Sequence, residues 1–575
     1  MTLTTLLLLA CNGDEPKSDD TAPPADQEDT EVPAGDDSGD AGGDTDPGPD
    51  DTAPDTAPPD TAPPDTGDTG DTGEPPEAST CSDGSEAVAW IEGGTGGDWG
   101  SVLGDFTVDT RAGAWTLSDH YTGCENLVFF NYADGYSLGS LYGSGFGDFL
   151  EALPPETHVF LTSFEQSQSA IDEDLDTMEV FVEVGMLGMD KADQAHWLDR
   201  VHYVTETAWD VGGGVGTFYQ DVGGYFYLGM DRHQELRGFG YLADPLTGWA
   251  TYDLMYAAYE PVYWNFEVRQ EQDLEEEEAT VVRIFDAQVI SDTGWAGQRG
   301  EADVDLPTAK EMAGFDTLEL DLTLDCADFE DCGEWDYLVY AYLCEEGDDD
   351  DCRQIGRFIT TYWRPGRWVV DATPFLALMK EGGNRHFEFY TTQAYTVTLD
   401  ARFSNRGKGY RPSALHPLWT GGTFDADYNS NQADVSFDVP KDAAGVDLWM
   451  VISGHGYASD EASCGEFCNH QHEVTLGSGD QWFHEYPEAG TAYGCMDQVA
   501  DGVVPNQGGT WVYGRGGWCP GLEVEPWVED LSTGITFGAE NTLSYRGLLD
   551  GAERTIESTD GRIEVTSYAV VHEAM

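Results

Sequence analysis

Basic residues are scarce in this sequence. Its 575 residues include 25 Lys and Arg against 110 Asp and Glu, and the formal net charge at pH 7 is -85. A surface with so much negative charge repels phosphate groups. This scarcity excludes nucleic acid and anionic membrane surfaces as expected partners.

Long apolar runs are also missing. No stretch approaches the run of about 20 apolar residues that a membrane-spanning helix requires. The start, MTLTTLLLLACNGD, has a short apolar run that ends at Ala10 and Cys11. It resembles the lipobox of bacterial lipoproteins, in which the signal is cleaved before a cysteine that then takes lipid.

We therefore expect residues 1–11 to be a lipoprotein signal and Cys11 to carry a lipid anchor. The protein would lie in the bacterial cell envelope, anchored to the outer membrane or cell surface, or be secreted. Because no basic residue precedes the apolar run, a chance apolar stretch is the alternative.

Aromatic residues are absent from residues 12–80, which hold 22 Asp and Glu, one Lys and the repetitive stretch DTAPPDTAPPDTGDTGDTG. Such a segment buries too little apolar surface to offset the entropy lost on ordering, and its like charges repel. We expect it to be a disordered acidic linker.

The cysteines of an envelope or secreted protein would lie in an oxidising compartment. Of the 11 cysteines, 10 remain if Cys11 carries lipid. An even number in such a compartment favours disulfide bonds over zinc thiolates. Other connectivities stay open, but proximity in sequence suggests five pairs: Cys81 with Cys124, Cys326 with Cys332, Cys344 with Cys352, Cys464 with Cys468, and Cys495 with Cys519.

Residues 81–270 predict an α/β domain. Strand-like runs such as LVFFNYA, HVFLTSF and GYFYLGM alternate with helix-like stretches, which favours a parallel or mixed sheet. In DKADQAHWLDRVHYV, a helix would place five residues near one face: Ala192, Ala195, Leu198, Val201 and Tyr203.

Two stretches of this domain, GDFTVDTRAGAWTLSDH from Gly104 and GMDRHQELRGFGYL from Gly229, loosely resemble thioredoxin and peroxiredoxin proteins. The stretch NYADGYSLGS stands where that family has its reactive cysteine, and it contains none. Thiol chemistry requires a thiolate, so we expect a thioredoxin-like domain without redox activity.

The second half of the chain predicts mainly β structure. The charged run EQDLEEEE from Glu271 indicates a domain boundary, and beyond it short runs alternate apolar and polar residues between Gly, Asp and Pro turns. These features predict two adjacent antiparallel sandwiches, at 280–412 and 413–575.

Two motifs carry candidate chemistry. In CADFEDCGEWDY, a strand would place Glu334 and Asp336 on one face and Trp335 on the other, and paired carboxylates suit acid–base catalysis. A solvated acidic strand end is the alternative. The second motif, SCGEFCNHQH, offers either a metal site or a disulfide loop around Glu466.

A resemblance extends over 280–575. It rests on CADFEDCGEWDY from Cys326, IGRFITTYW from Ile355, ISGHG from Ile452, CGEFC from Cys464, GC at Gly494 and GRGGWCPG from Gly514. Together these motifs resemble the peptide-N-glycosidase F family. The resemblance implies two adjacent jelly-roll domains and hydrolysis of the amide between Asn and the first N-acetylglucosamine of N-linked glycoproteins or glycopeptides. It implies no metal and no cofactor.

By position, the catalytic aspartate of the family corresponds to Asp336 and its interdomain glutamate to Glu466. The resemblance implies that a disulfide loop presents Glu466 towards Asp336, which would activate water. We expect substrate contacts from Arg515, Trp518, Glu334, Trp335, His455 and Thr392, with an exposed Trp518 stacking on sugar.

Several positions depart from the family. Thr392 stands at a family glutamate and Ala394 at a tryptophan, while Tyr337 and His455 replace an arginine and a tryptophan of the best-known member. These changes leave activity and glycan preference open.

Two alternatives follow. The same fold can hold a glycan without cutting it, which would make the protein an inactive surface binding module. Paired jelly rolls also occur in copper-dependent monooxygenases, for which His470, His472 and Met496, with His455 as a further ligand, would be the candidate ligands.

Overall fold

The computed structural model describes residues 79–575 apart from 133–144, 224–226, 243–253, 292–297, 327–331, 346–347, 457–463 and 558. The predicted signal with Cys11 and nearly all of the linker lie outside the described residues. Residues 75–575 form one compact unit. None of the described helices has the length and apolarity to cross a membrane.

The first domain is built on a mixed seven-stranded sheet in the order β2-β1-β5-β4-β3-β6-β7, in which β3, β4 and β5 are parallel. The strands are β1 Thr107–Thr110, β2 Gly113–Thr116, β3 Leu127–Tyr132, β4 His158–Ser163, β5 Val201–Thr207, β6 Tyr227–Met230 and β7 Leu236–Gly238. The helices are α1 Leu117–His120, α2 Phe146–Ala152, α3 Gln168–Met186, α4 Lys191–Leu198, α5 Gly213–Phe218 and α6 Tyr259–Glu276. The α/β character is observed, while the thioredoxin-like assignment stays a prediction.

The predicted helix from Asp190 is shorter than expected. Asp190 caps α4 by accepting hydrogen bonds from the backbone of Ala192 and Asp193, but the helix ends at Leu198. Val201 already belongs to the sheet, so the predicted face does not continue. Leu198, which the sequence predicts to face the core, is 65% exposed, because the larger ring of Trp197 packs into the core in its place.

The predicted mainly β second half is confirmed. Its first sandwich packs the sheet β13-β10-β15-β8 against the sheet β12-β11-β14-β9, with every pairing antiparallel. Alternating burial along β15 shows why these residues form strands, since one face lies in the core. The elements are β8 Ala279–Ile290, β9 Gln298–Leu306, α7 Ala309–Met312, β10 Thr317–Cys326, β11 Leu338–Glu345, β12 Asp348–Ile359, β13 Gly366–Asp371, α8 Leu376–Met379, β14 Gly383–Thr391 and β15 Tyr395–Ser404.

The second sandwich begins at Tyr410. A five-stranded sheet, ordered β16-β24-β19-β22 with β17 also paired to β24, faces the sheet β18-β23-β20-β21. The strands are β16 Tyr410–Pro417, β17 Gly421–Thr423, β18 Val435–Asp438, β19 Gly445–His455, β20 His470–Leu476, β21 Gln481–Glu485, β22 Trp527–Asp530, β23 Glu540–Leu549 and β24 Arg562–Ala574.

The two sandwiches share a core and a buried polar contact. Trp449 and Tyr568 of the second sandwich pack into the core of the first. Arg357 is 5% exposed and donates to Ser453 Oγ at 3.1 Å and to Thr566 Oγ1 at 2.8 Å. A buried guanidinium must have such partners, so the contact fixes how the sandwiches meet.

The domain boundary predicted at the charged run EQDLEEEE from Glu271 lies several residues later in the chain. Residues 271–276 form the last turns of α6, and the second half begins at Ala279. Glu271 explains why, since it pairs with Arg367 at 3.2 Å and with His233 at 3.2 Å. Charges that look like a solvated linker are thus partly used in tertiary contacts.

All five suggested disulfide pairs are present: Cys81–Cys124, Cys326–Cys332, Cys344–Cys352, Cys464–Cys468 and Cys495–Cys519. Four of them join cysteines at most 24 positions apart. Two of these loops, Cys464–Cys468 and Cys495–Cys519, contain Glu466 and Arg515.

The α/β domain is joined to the sandwiches by a buried ion pair. Glu260 of α6 is 0% exposed and binds both terminal nitrogens of Arg364, at 2.8 and 3.0 Å. Its Oε1 also accepts from the backbone of Gly240 and from the Asn506 amide, both at 2.9 Å. One side chain thereby ties together the α/β domain, the first sandwich and a loop of the second.

We expect Glu260→Gln to destabilise the protein strongly, because it leaves the mostly buried Arg364 guanidinium without a counter-charge. Loss of one partner of such a pair costs about 3–5 kcal/mol. The measurement is the thermal midpoint of unfolding. The control is Glu553→Gln, which breaks the exposed pair with Arg546 and should cost about 1 kcal/mol or less. Equal midpoints for the two variants would contradict the assignment.

Candidate functional site

Two carboxylates from different sandwiches meet at one arginine. Arg515 Nη2 lies 3.3 Å from Asp336 Oδ2, and its Nε lies 3.1 Å from Glu466 Oε1. The Arg515 side chain is 0% exposed, while Asp336 and Glu466 are 17% and 12% exposed. The carboxylates therefore keep a narrow access to solvent and the arginine has none.

Asp336 lies in a loop, which corrects the strand prediction. Strand β11 begins at Leu338, so Glu334 and Asp336 are not arranged by strand alternation on one face. Thr360 holds the loop in another way: its hydroxyl donates to Trp335 O at 3.0 Å and accepts from the Tyr337 backbone at 2.9 Å. This clamp on both neighbours fixes the direction of the Asp336 side chain.

Glu466 lies in the short loop closed by Cys464 and Cys468. Its carbonyl oxygen accepts from Gly516 N at 2.6 Å, next to Arg515. The disulfide-loop interpretation of SCGEFCNHQH is therefore the one that the structure shows. Backbone and side chain of Glu466 are both tied to the segment that carries the arginine.

Burial changes the proton affinity of both carboxyl groups. Desolvation raises the pKa of Glu466 to about 7, partly opposed by the Arg515 charge and reinforced by the Asp336 charge. Desolvation also raises the pKa of Asp336, again opposed by Arg515. Because both carboxyl groups are buried and share one counter-charge, the pair binds a proton more readily than two exposed carboxylates do. Such a pair suits activation of water and delivery of a proton.

Arg515 is fully engaged by the protein. Its Nη1 donates to the carbonyl oxygens of Thr510 and Tyr513 at 3.2 and 2.8 Å. Its Nη2 donates to Thr510 Oγ1 at 3.1 Å and to the Tyr362 hydroxyl at 3.2 Å, besides Asp336. No surface of the guanidinium is exposed, so the direct contact between Arg515 and substrate is not supported by this geometry and stays a prediction.

Trp518 is buried, against the expectation of an exposed stacking surface. It is 5% exposed, its indole N–H donates to Gly454 O at 2.7 Å, and its ring lies 4.8 Å from Arg515 Cζ. The ring supports the guanidinium through a cation–π contact, together with Phe467 at 5.2 Å. With 5% exposure, the ring offers little surface on which a sugar could stack.

The other expected substrate residues surround the site unevenly. Trp335 is 55% exposed, beside Asp336, and its indole N–H donates to Glu334 Oε1 at 3.0 Å. His455 is partly buried, stacks on Trp518 at 5.5 Å and shares a hydrogen bond with Ser453. Thr392 is exposed in a turn after β14. No contact ties Thr392 to either carboxylate among the described residues.

Sequence reasoning missed Tyr362 and Thr510. The Tyr362 hydroxyl donates to Asp336 and accepts from Arg515, and burial raises the pKa of this phenol so that it stays protonated. Thr510 binds the same guanidinium through two atoms. The motif IGRFITTYW contains Tyr362, but its letters do not show which aromatic side chain turns inward.

The copper hypothesis is not favoured by the imidazole contacts. His470 Nδ1 and His472 Nε2 are hydrogen-bonded to each other at 2.7 Å, and His472 Nδ1 is bonded to the Tyr545 hydroxyl. Met496 packs in the core shared with the α/β domain. Among the described residues, the set of Cys, His or acidic ligands close enough for one ion is Cys344, Cys352 and Glu388, and its two sulfurs form a disulfide.

Comparisons with known proteins point to one group. Residues 423–570 match the family described as peptide-N-glycosidase F, C terminal. The peptide-N(4)-(N-acetyl-beta-D-glucosaminyl)asparagine amidase F of Elizabethkingia miricola is 26% identical over 267 residues, which cover 42% of this chain and 69% of that protein.

Solved structures of the same group also align. The PNGase F structure from Flavobacterium meningosepticum is 19% identical, with a TM-score of 0.41, and the alignment covers 52% of this chain and 97% of that one. The structure of PNGF-II is 12% identical, with a TM-score of 0.39, over 54% of this chain and 67% of that one.

We expect the effect of Glu466→Gln on stability to depend on pH. The pKa of Glu466 is raised from 4.5 to about 7 in the folded protein. Between these two pH values the folded protein keeps a proton on Glu466, whereas the unfolded chain has lost it. Unfolding free energy therefore falls as pH rises through this window, and the neutral glutamine avoids that loss.

The measurement is the thermal midpoint of the variant minus that of the wild type at pH 5 and pH 8, and it should become more positive at pH 8. Glu334→Gln, at an exposed carboxylate, should give the same difference at both values. A difference for Glu466→Gln that does not change with pH would contradict the burial argument.

Proposed function

We propose that this chain, which is related to the peptide-N-glycosidase F family, hydrolyses the amide bond between Asn and the first N-acetylglucosamine of N-linked glycoproteins or glycopeptides. The observation that carries the proposal is the convergence of Asp336 and Glu466, from two sandwiches, on the buried Arg515. Amide hydrolysis needs an activated water and a proton for the leaving nitrogen, and this pair of carboxyl groups supplies both.

The residues divide the work by their surroundings. Asp336, oriented by the Tyr362 hydroxyl, accepts the proton of the attacking water. Glu466, whose pKa is raised to about 7, exists in both protonation states near neutral pH and hands a proton to the leaving amine. Arg515 touches both carboxylates but its side chain is not exposed to solvent, so it orients them and balances their charge without binding substrate.

The rim of the site offers aromatic surfaces suited to sugar. Trp335 and Trp363 are 55% and 39% exposed, and the Trp363 backbone donates to Gly333 O at 2.9 Å. Trp363 adopts φ of +62°, a conformation that costs energy for a bulky residue and is retained where the surroundings require it. Exposed tryptophan faces next to paired carboxylates support a glycan as the bound group.

We expect Asp336→Asn to lower turnover of a glycopeptide by about 100-fold or more, because the amide cannot accept the proton of water. The measurement is mass spectrometry of the peptide product, in which asparagine has become aspartate, with circular dichroism to show that the variant is folded.

The control for this variant is Asp286→Asn, at a carboxylate of the first sandwich that is 81% exposed, and it should keep wild-type turnover. Equal turnover in Asp336→Asn and wild type would move the chemistry to other residues. Glycopeptide binding by the wild type without any product would instead support the inactive binding module.

We also propose that Cys11 carries lipid and anchors the protein at the cell envelope. The proposal rests on the apolar run that ends at Ala10 before this cysteine and on the acidic segment that follows it. Such a segment would act as an extended linker between the anchor and the folded residues.

We expect Cys11→Ser to shift the protein from the membrane fraction to the soluble fraction, because serine lacks the thiol to which the lipid is attached. Detergent partitioning of the full-length protein and the mass of its N-terminal peptide provide the measurement. The neighbouring variant Asn12→Ser keeps the cysteine and should remain with the membrane. A wild-type N-terminal peptide without added lipid mass would rule out the anchor.

A further inference from the structure

A chain of buried hydrogen bonds runs behind the candidate site. The hydroxyls of Tyr428 and Tyr545 are 2.8 Å apart, the Tyr545 hydroxyl is 2.7 Å from His472 Nδ1, and His472 Nε2 is 2.7 Å from His470 Nδ1. All four side chains are at most 2% exposed. Because β20 begins at His470, strand alternation places both imidazoles on the inner face.

The last atom of this chain, His470 Nε2, lies where three backbone segments cross. A Cβ built on Gly454 would come within 2.4 Å of it, and one built on Gly516 within 2.3 Å, so only glycine allows this approach. Gly454 N donates to Gly516 O at 2.7 Å, and Gly516 N donates to Glu466 O at 2.6 Å. The imidazole thus supports the peptide groups next to Glu466 and Arg515.

The backbone around His470 Nε2 favours one position for the ring proton. Burial lowers the pKa of His470 to about 3, so the ring is neutral, and the backbone of Gly465 and Gly516 acts on it in the opposite direction, as nearby carbonyl oxygens do. Among the described residues, Nε2 has no hydrogen-bond partner within normal limits, but the carbonyl oxygen of Gly465 lies beside it: a Cβ built on Gly454 would come within 1.9 Å of Gly465 O and 2.4 Å of Nε2. A neutral imidazole facing carbonyl oxygens is stabilised as the Nε2–H tautomer.

The tautomer of His470 then fixes every other proton of the chain. With its proton on Nε2, the Nδ1 atom of His470 accepts, so His472 must donate through Nε2–H and accept at Nδ1. The Tyr545 hydroxyl therefore donates to His472, and it accepts from Tyr428. All donors point towards the site, and each bond strengthens the next.

We propose that His470 is a positioning residue, held in one tautomer by His472 and Tyr545, that keeps the glycine junction in place and so aligns Glu466 with Arg515. The inference rests on the proposed hydrolase function of that site, but the hydrogen-bond chain itself can be tested without activity.

The direct test is nitrogen-15 NMR of the full-length wild-type protein labelled at histidine, with the two resonances assigned by His470→Gln and His472→Gln. We expect both imidazoles to show a protonated Nε2 and an unprotonated Nδ1 at pH 7. A protonated Nδ1 on either ring would overturn the proposal, whether or not the protein cleaves glycopeptides.

The functional test compares two buried hydroxyls. Tyr545→Phe removes the donor to His472 while keeping the ring, and it should lower kcat about 10-fold or more through misplacement of the carboxylates. KM should stay within about 2-fold, because no substrate contact changes. Tyr428→Phe is the matched control, since Tyr545 can still donate to His472 without it, and its kcat should equal that of the wild type.

Tyr545→Phe breaks two buried hydrogen bonds and Tyr428→Phe breaks one, so the thermal midpoint of each variant is measured and kcat is compared at a temperature well below both midpoints, where a general loss of stability cannot produce the difference. Wild-type kcat in Tyr545→Phe, or an equal loss of kcat in both variants, would overturn the positioning role. If the wild type itself lacks amidase activity, the proposed function fails, and the tautomers measured by NMR decide the hydrogen-bond chain alone.

Discussion

A guanidinium without solvent contact needs carboxylate partners, and Arg515 finds them on two loops that are far apart in sequence. Asp336 comes from the first sandwich and Glu466 from the second, so the ion pairs form when both sandwiches are folded and correctly packed. A buried charge that loses a partner is costly, which makes this contact sensitive to small shifts. The same burial that makes the Arg515 guanidinium require carboxylate partners also raises the pKa of the two carboxyl groups.

The surroundings of this arginine explain why so many unreactive residues matter. Trp518 and Phe467 cover its faces, and Thr510 and Tyr362 occupy its remaining hydrogen bonds. Each contact removes a direction in which the guanidinium might move. The carboxylates are then placed by the arginine, and the arginine by the core, so reactive geometry follows from packing.

Patterns confined to short stretches of sequence predicted the molecule well. Alternating runs predicted the strands of the sandwiches, because alternation depends on residues close together in the chain, and the pairing of neighbouring cysteines predicted the disulfide bonds, even where 43 positions separate Cys81 from Cys124. The failures depended on tertiary contacts. Nothing in the letters showed that Trp197 would displace Leu198 from the core, or that Trp518 would face Arg515 and not solvent. The motifs located Asp336 and Glu466, whereas Tyr362 required knowledge of which way a loop turns.

The α/β domain and the segment from Cys495 to Cys519 share one core, which determines how much of the chain is needed to hold the candidate site together. Val503, Val504 and Trp511 lie in that segment, at most 1% exposed, and pack with α6 and with Tyr362. A chain begun at Ala279 would present this apolar face to water and remove the wall against which Tyr362 rests. The two sandwiches therefore do not bury all of their apolar surface by themselves. The N-terminal domain belongs to the same scaffold, because its helix α6 closes one side of the core in which Tyr362 is packed.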